Sequence, residues 1–302
     1  MIYSVGSIFL DHIVKIKSFP KTPIKIIARG IEKRLGGSAA VASFTIKKLG
    51  LDASFVGRFG DDDASKFLIG ELVKFNIKYK DSITIKGAQS SQSYVYEDKK
   101  GERLLAAFNE KKLLSNKKLP KISFAKNKTF LADLRWIEAT LYIAKNCYKN
   151  NLDLIVDLDN YKYNSKIKQI VDHTSFPIFS ETGVTEFTKS KSIIKSLKKM
   201  NLIKNKFYAV TAGKRGVYWI ENGIIYNCQP PKIKAIETNC AGDVFHGAFA
   251  AFIHKKNSII ESMQLATAAA TLKCTKNGGI YSLPSFSAVK NFAKKIKVRK
   301  IK

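Results

Sequence analysis

Residues 237–249 read Glu237-Thr-Asn-Cys-Ala-Gly-Asp243-Val-Phe-His-Gly-Ala-Phe249, and the rest of the chain is read outward from them. The small pair Ala241-Gly242 makes a turn that feeds directly into an apolar, small-residue helix. Backbone N–H groups at a helix start lack intrahelical acceptors and sit at the positive end of the dipole, so they form an anion site. Asp243 at that place suits the dipole but repels a bound phosphate. The combination makes chemical sense if Asp243 accepts the proton of a hydroxyl that attacks phosphorus. Otherwise Asp243 is simply a helix-start residue.

Around this stretch, short apolar runs alternate with helical patterns. That rhythm predicts a doubly wound, mostly parallel α/β sheet covered on both faces. The expected strands are Ile2–Ser7, Ala53–Gly57, Phe130–Leu134, Leu154–Leu158, Ser175–Phe179 and Phe207–Thr211. Gly36-Gly37 opens a helix that ends at Gly50, and Asp63 is expected to cap the next one. Further helices are expected near 137–150, 161–172, 185–200, 242–255, 258–275 and 285–298, with a hairpin turning at Asn222-Gly223. Two inserts, about 12–34 and 82–109, are β-rich instead; the first looks like short strands and turns, and the second turns at Asp98-Lys99-Lys100-Gly101. Ligands of open α/β sheets sit beyond the carboxyl ends of the strands. Asp133-Leu134-Arg135, Asp157-Leu158-Asp159, Ser180-Glu181-Thr182 and Thr211-Ala212-Gly213 all fall there, although each alone also fits a cap or a turn.

The chain has 302 residues and a formal net charge of +29. Only seven of its 53 basic residues are Arg, and the Lys residues spread over the whole length. With no clustered basic arm, Arg fork or aromatic platform, a specific nucleic-acid partner is not expected. The charge still favours anionic ligands, nucleotides included. Cys147, Cys228, Cys240 and Cys274 stand far apart, which argues against a disulfide framework or a zinc site and fits a cytoplasmic protein. No apolar run approaches the ~20 residues of a membrane span, so no membrane partner is expected.

The ordered set of motifs resembles the ribokinase-like (PfkB) family of sugar and nucleoside kinases. Residues 237–243 resemble its Asp-Thr-x-Gly-Ala-Gly-Asp signature. Asp11 after the first strand, Gly36-Gly37, Val56-Gly-Arg-Phe-Gly-Asp-Asp62, Thr211-Ala-Gly-Lys-Arg-Gly216 and the stretch 266–279 match further family motifs in order. The resemblance spans the whole chain and implies a single kinase domain, residues 1–302, with a small β lid built from the two inserts. It implies an ATP-dependent carbohydrate kinase with Asp243 as general base and backbone N–H groups of Ala241, Gly242 and Asp243 on the transferred phosphoryl group. Asp11, Gly36 and Gly37 would bind the sugar. Thr211, Gly213 and Gly216 would line the nucleotide, with Asn277 and Gly278 near its base. ATP with Mg2+ is the implied donor, Glu181 or Glu186 the implied metal-side carboxylate, and K+ a further implied cofactor. Three positions depart from the family: Cys240 replaces a glycine, Glu237 replaces the leading aspartate, and Ser180-Glu-Thr-Gly183 stands where an Asn-x-x-Glu motif is expected.

Within the family, Ser90-Ser-Gln-Ser93, Lys100-Gly-Glu-Arg103, Leu131–Trp136 and Leu272-Lys-Cys-Thr275 are similar to sulfofructose kinases. The implied substrate is a ketohexose-like sugar such as 6-deoxy-6-sulfofructose, and plain fructokinase, ketohexokinase or ribokinase chemistry is the alternative. The planar fork of Arg135 suits an anionic substituent, helped by Lys25; a salt bridge to Asp133 or Glu138 is its alternative role. Ala107 stands where an Asn is expected, and Asn109 follows two places on. A non-catalytic sugar- or nucleotide-sensing relative is the alternative from another class. Exposed lid edges favour a homodimer joined lid to lid.

Overall fold

The computed structural model describes residues 1–99 and 102–301. Strand β1 (Ile2–Val5) is buried along its whole length. Strands β2 (Phe9–Lys15) and β3 (Gly30–Gly36) follow and pair antiparallel, from Phe9 opposite Gly36 to Lys15 opposite Gly30. The first β-rich insert is therefore two full strands joined by an irregular segment, 16–29. Its prolines, Pro20 and Pro23, donate no hydrogen bond to a ladder.

Helix α1 (Ser38–Lys48) leads to β4 (Ala53–Val56), β5 (Arg58–Phe59) and α2 (Asp63–Lys74). Asp62, not Asp63, caps α2: its carboxylate accepts the Ser65 N–H at 3.0 Å. The second insert holds β6 (Ile83–Thr84), β7 (Gln92–Glu97) and β8 (Arg103–Phe108), followed by a single helical turn, α3 (Lys111–Leu114). Lys100 and Gly101, at the expected turn and in one of the motif stretches, lie outside the described residues.

The βα rhythm then runs β9 (Thr129–Asp133), α4 (Ile137–Lys149), β10 (Leu154–Leu158), α5 (Ser165–His173) and β11 (Phe176–Ser180). The single helix expected over 185–200 is two, α6 (Glu181–Thr188) and α7 (Ile193–Ile203). Lys189 turns left-handed at φ 58°, and Ser192 restarts the helix by accepting the Lys195 N–H. Strand β12 (Tyr208–Thr211) and the hairpin β13 (Val217–Glu221) and β14 (Ile224–Gln229) follow. Helices α8 (Ala241–His254), α9 (Ile259–Cys274) and α10 (Phe286–Ala293) come next. The last expected helix stops at Ala293, and Lys297–Ile301 forms β15, antiparallel to β14.

The main sheet has nine strands in the order β15-β14-β13-β12-β11-β10-β9-β1-β4. Its six strands from β12 to β4 run parallel and the other three close the edge antiparallel. The parallel strands Leu154–Leu158 and Thr129–Asp133 are buried throughout, as strands covered by helices on both faces must be. One core lies under α1, α2, α8, α9 and α10, the other under α4 to α7. Helices α1 and α8 pack so closely that a Cβ on Gly247 would stand 2.6 Å from the Ala42 carbonyl oxygen. The two inserts combine in a second sheet of four strands, β3-β2-β7-β8. Among the described residues no helix is long and apolar enough to cross a membrane.

Candidate active site

The approach to α8 is bent by Cys240, which adopts the left-handed conformation at φ 60°. Ala241 N–H reaches the Thr238 carbonyl at 3.4 Å, and Val244 N–H returns to the Cys240 carbonyl at 2.9 Å. Between them, the N–H groups of Gly242 and Asp243 belong to the first turn, where no intrahelical acceptor exists. A Cβ on Gly242 would meet nothing within 4 Å, so this turn faces open space. Asp243 lies next to the start of α1. Burial, reinforced by the nearby Asp157, raises its pKa to about 6, while the Ser38 hydroxyl beside it works the other way. A carboxyl poised there is a proton acceptor near neutral pH.

Behind Asp243, the buried Asp157 at the end of β10 is pushed well above the usual carboxylate range by burial and by Asp133 and Asp159. His246, one turn along α8, stands 3.7 Å from Asp157, and burial lowers its pKa.

The strand ends meet at Asp133. It accepts the N–H and hydroxyl of Ser7 at 2.8 and 2.7 Å, the Ala39 N–H at 3.1 Å and the Arg135 N–H at 2.8 Å. Gly6, at φ +147°, passes so near that a Cβ there would sit 2.4 Å from this carboxylate. Asp133 thus joins β1, β9 and the start of α1, and does not point into the site as a free group.

Across from α8, the register of the second sheet sets Asp11 opposite both Arg34 and Ser93, and Ser93 opposite Ala107, on one face. The Ser93 hydroxyl donates to Asp11 at 2.6 Å, while burial raises the Asp11 pKa to about 6. Gly36 allows this approach: its Cβ would fall 2.1 Å from the Asp11 carboxylate. Gly37, at φ +96°, starts α1 where a Cβ would meet the Ser7 carbonyl at 2.6 Å. Lys25 lies in the exposed stretch 20–29 between β2 and β3.

Arg135 is exposed at the rim of a small cavity of about 30 Å³, which also takes in Ser7, Ser91 and Asn109. It bridges to neither expected carboxylate: Asp133 is held by backbone and Ser7 donors, and Glu138 pairs with Lys166 at 3.0 Å. The guanidinium that braces this corner is Arg58, which sits 4.9 Å over the Trp136 ring and donates to the Leu114 carbonyl at 2.8 Å.

On the other side of the α8 start lies a cavity of about 870 Å³. Thr211, Gly213, Gly216, Ala241, Gly242 and Phe245 are among its lining residues. Gly216 is required there, because at φ +81° a Cβ would fall 2.0 Å from the Cys228 carbonyl. Asn277 and Gly278, expected near the nucleotide base, do not line it. The loop after α9 is drawn toward Glu237 by the Gly279 N–H at 3.2 Å, and the Asn277 side chain accepts from Arg34 at 3.3 Å.

The expected metal carboxylates do not converge either. Glu181 is paired with Arg215, and Glu186 with Lys189 and the Tyr163 N–H. Among the described residues no group of acidic, His or Cys side chains is arranged to hold a metal ion.

Glu237 is buried and holds its charge: burial works to raise its pKa, but the Lys273 ammonium, the Gly279 N–H and Arg34 together hold it below the usual value. Asp133 and Asp157 were legible from sequence only as polar residues at strand ends, without an assigned role, and Lys273 and His246 were not singled out. Each acts through contacts across more than thirty positions, and no local spacing announces such contacts.

Comparison with known proteins gives a consistent result. The pfkB family carbohydrate kinase profile matches residues 1–285. Probable fructokinase-5 of Arabidopsis thaliana is 26% identical, covering 94% of each chain. A ribokinase of Haemophilus influenzae is 22% identical over 93% of this chain and 94% of its own. Among solved structures, Arabidopsis thaliana ribokinase complexed with ribose and ATP superimposes with a TM-score of 0.83 at 22% identity, covering 97% of this chain and 98% of its own, which shows the shared fold.

Proposed function

The chain belongs to the pfkB family of ATP-dependent carbohydrate kinases, and on that footing we propose that it phosphorylates a hydroxyl of a ketohexose-like sugar with Asp243 as the base. The observation that carries this is Asp243 itself: a carboxyl with a pKa raised to about 6, on the same helical turn as the free Gly242 N–H. The sugar hydroxyl gives its proton to Asp243. Its oxygen bonds to the γ-phosphorus of ATP while the bond from that phosphorus to the ADP oxygen breaks. Gly242 and Asp243 N–H groups, with Ala241 beside them, stabilise the charge on the transferred group.

Asp11, with Ser93, holds sugar hydroxyls in this proposal, and Gly36 and Gly37 let the sugar lie close to the backbone. The second sheet acts as the lid. The 870 Å³ cavity takes the nucleotide, and Thr211, Gly213 and Gly216 line it. Glu181 and Glu186 are engaged elsewhere, so no step is assigned to a protein-held Mg2+. Lid strands β3 and β8 lie at sheet edges, and joining them to those of a second copy would form a homodimer.

Arg135 favours an acidic substituent on the sugar, such as the sulfonate of 6-deoxy-6-sulfofructose, since its guanidinium bridges to neither neighbouring carboxylate. Fructose and ribose are the uncharged alternatives, in keeping with relatives named fructokinase and ribokinase. An ADP-release assay over sulfofructose, fructose, ribose and other sugars tests both levels. Arg135→Leu is expected to lower kcat/KM for the acidic sugar by roughly 10- to 150-fold, the worth of a charged hydrogen bond, and to spare fructose. Equal losses on both sugars, or a wild-type preference for uncharged ones, would count against the acidic substrate.

A further inference from the structure

Lys273 is 0% exposed, and its ammonium stands 2.8 Å from Glu237 Oε2. Long charged side chains are almost never buried this completely unless paired. The other oxygen, Oε1, receives Arg34 Nη1 at 2.8 Å, and Arg103 Nη2 lies 3.9 Å away. Oε2 also accepts the Gly279 N–H at 3.2 Å. Both oxygens of the residue that replaces the leading aspartate are therefore held by fixed donors. A K+ ion would have to enter beside three resident cations, and like charges oppose that. The donor set does not fit the K+ that the family resemblance implies.

The next residue completes a clamp. Ile236 and Glu237 N–H both donate to the Cys274 carbonyl, at 2.7 and 3.2 Å. The end of α9 thus grips the chain by a side-chain cation and a backbone acceptor on consecutive residues. A few positions on, the same segment makes the left-handed turn at Cys240 and presents the Gly242 and Asp243 N–H groups.

We propose that the Lys273 ammonium serves as a built-in monovalent cation: it neutralises Glu237 and holds the 236–243 turn in its phosphoryl-binding shape, so that activity needs no K+. This rests on the kinase reading given above, and Lys273 is a positioning residue in it.

The test compares KCl with choline chloride at equal ionic strength, following turnover, ATP affinity and melting temperature. For the wild-type protein, turnover and ATP affinity should each change less than about 2-fold up to about 100 mM, with no K+-specific rise in melting temperature. A K+-specific gain of about 5-fold or more in turnover or affinity, or a K+-specific thermal stabilisation, overturns the proposal.

Lys273→Ala opens the place beside Glu237. Turnover and ATP affinity should fall, and K+ or methylammonium should restore them by about 10-fold where choline does not. A Lys273→Ala protein as active as wild type without added cation also overturns it. If that variant does not fold, the wild-type series decides alone. If no sugar is phosphorylated, the kinase reading fails, while melting temperature and ATP affinity still answer for Lys273.

Discussion

In the proposed reaction Asp243 carries the heaviest chemical load, and its environment would make that load pH-dependent. With its pKa raised to about 6, mainly by burial, the carboxylate needed to take a proton is lost as pH falls through that value. The kcat/KM profile should fall about tenfold per unit on the acid side. Asp243→Asn should cost ~10²–10⁴ in turnover while ATP still binds; a variant keeping more than about a third of wild-type turnover would remove Asp243 from this role. Stability runs the other way. A carboxyl whose folded pKa lies above its unfolded value of roughly 3.9 contributes fully below that pH and loses the contribution as pH rises through the folded pKa. The Asn variant should therefore melt above wild type near pH 8 and show no such gain near pH 4. Asp243, Asp11, Gly36 and Gly37 were legible because each sits in a short motif whose chemistry or backbone geometry is local. Lys273 was not, since a lysine in a Lys-rich chain gives no sign of burial until the fold brings Glu237 to it.

At the level of elements, the start of α8 is held under strain. A β-carbon in the left-handed region costs roughly 1 kcal/mol, and Cys240 bears it at φ 60°. Its thiol is pushed up by burial and is no nucleophile. Cys240→Gly should leave activity equal or higher and stability within about 1 kcal/mol of wild type, measured by turnover and thermal melting. A folded Cys240→Gly protein without activity would mean that the sulfur itself is needed. Strand Leu154–Leu158 was legible to the residue because a doubly covered strand reads as a near-continuous apolar run, here interrupted only by Asp157 at its carboxyl end. Strand Lys297–Ile301 was not, because on an edge strand Lys, Val, Arg, Lys and Ile hide the alternation behind charges. The break between α6 and α7 escaped for a different reason: Lys189 supplies the left-handed turn that a glycine normally announces.

For the whole molecule, the second sheet has two faces of opposite character. Asp11, Arg34 and Ser93 look toward the site, whereas Ile31, Tyr94, Leu104 and Phe108 share the other face at exposures of 70, 44, 59 and 43%. Such a face beside two open edges is where the proposed homodimer would form. Sedimentation of the wild-type chain should give a dimer at micromolar concentration, and Leu104→Asp should shift it to monomer; a wild-type monomer at about 50 µM would refute the lid-to-lid arrangement.

The ties from Arg34 and Arg103 to Glu237 also bear on the order of events in a catalytic cycle. In the proposed arrangement they would fasten the second sheet over the sugar side, while none of its residues lines the 870 Å³ cavity assigned to the nucleotide. On that reading ATP and ADP would exchange with the second sheet in place, whereas the sugar and its phosphate would cross only when the sheet moves off, with Lys273 and the Gly279 N–H keeping Glu237 in position. Residence time would then be set separately for the two proposed substrates, one by an open doorway and the other by a latch.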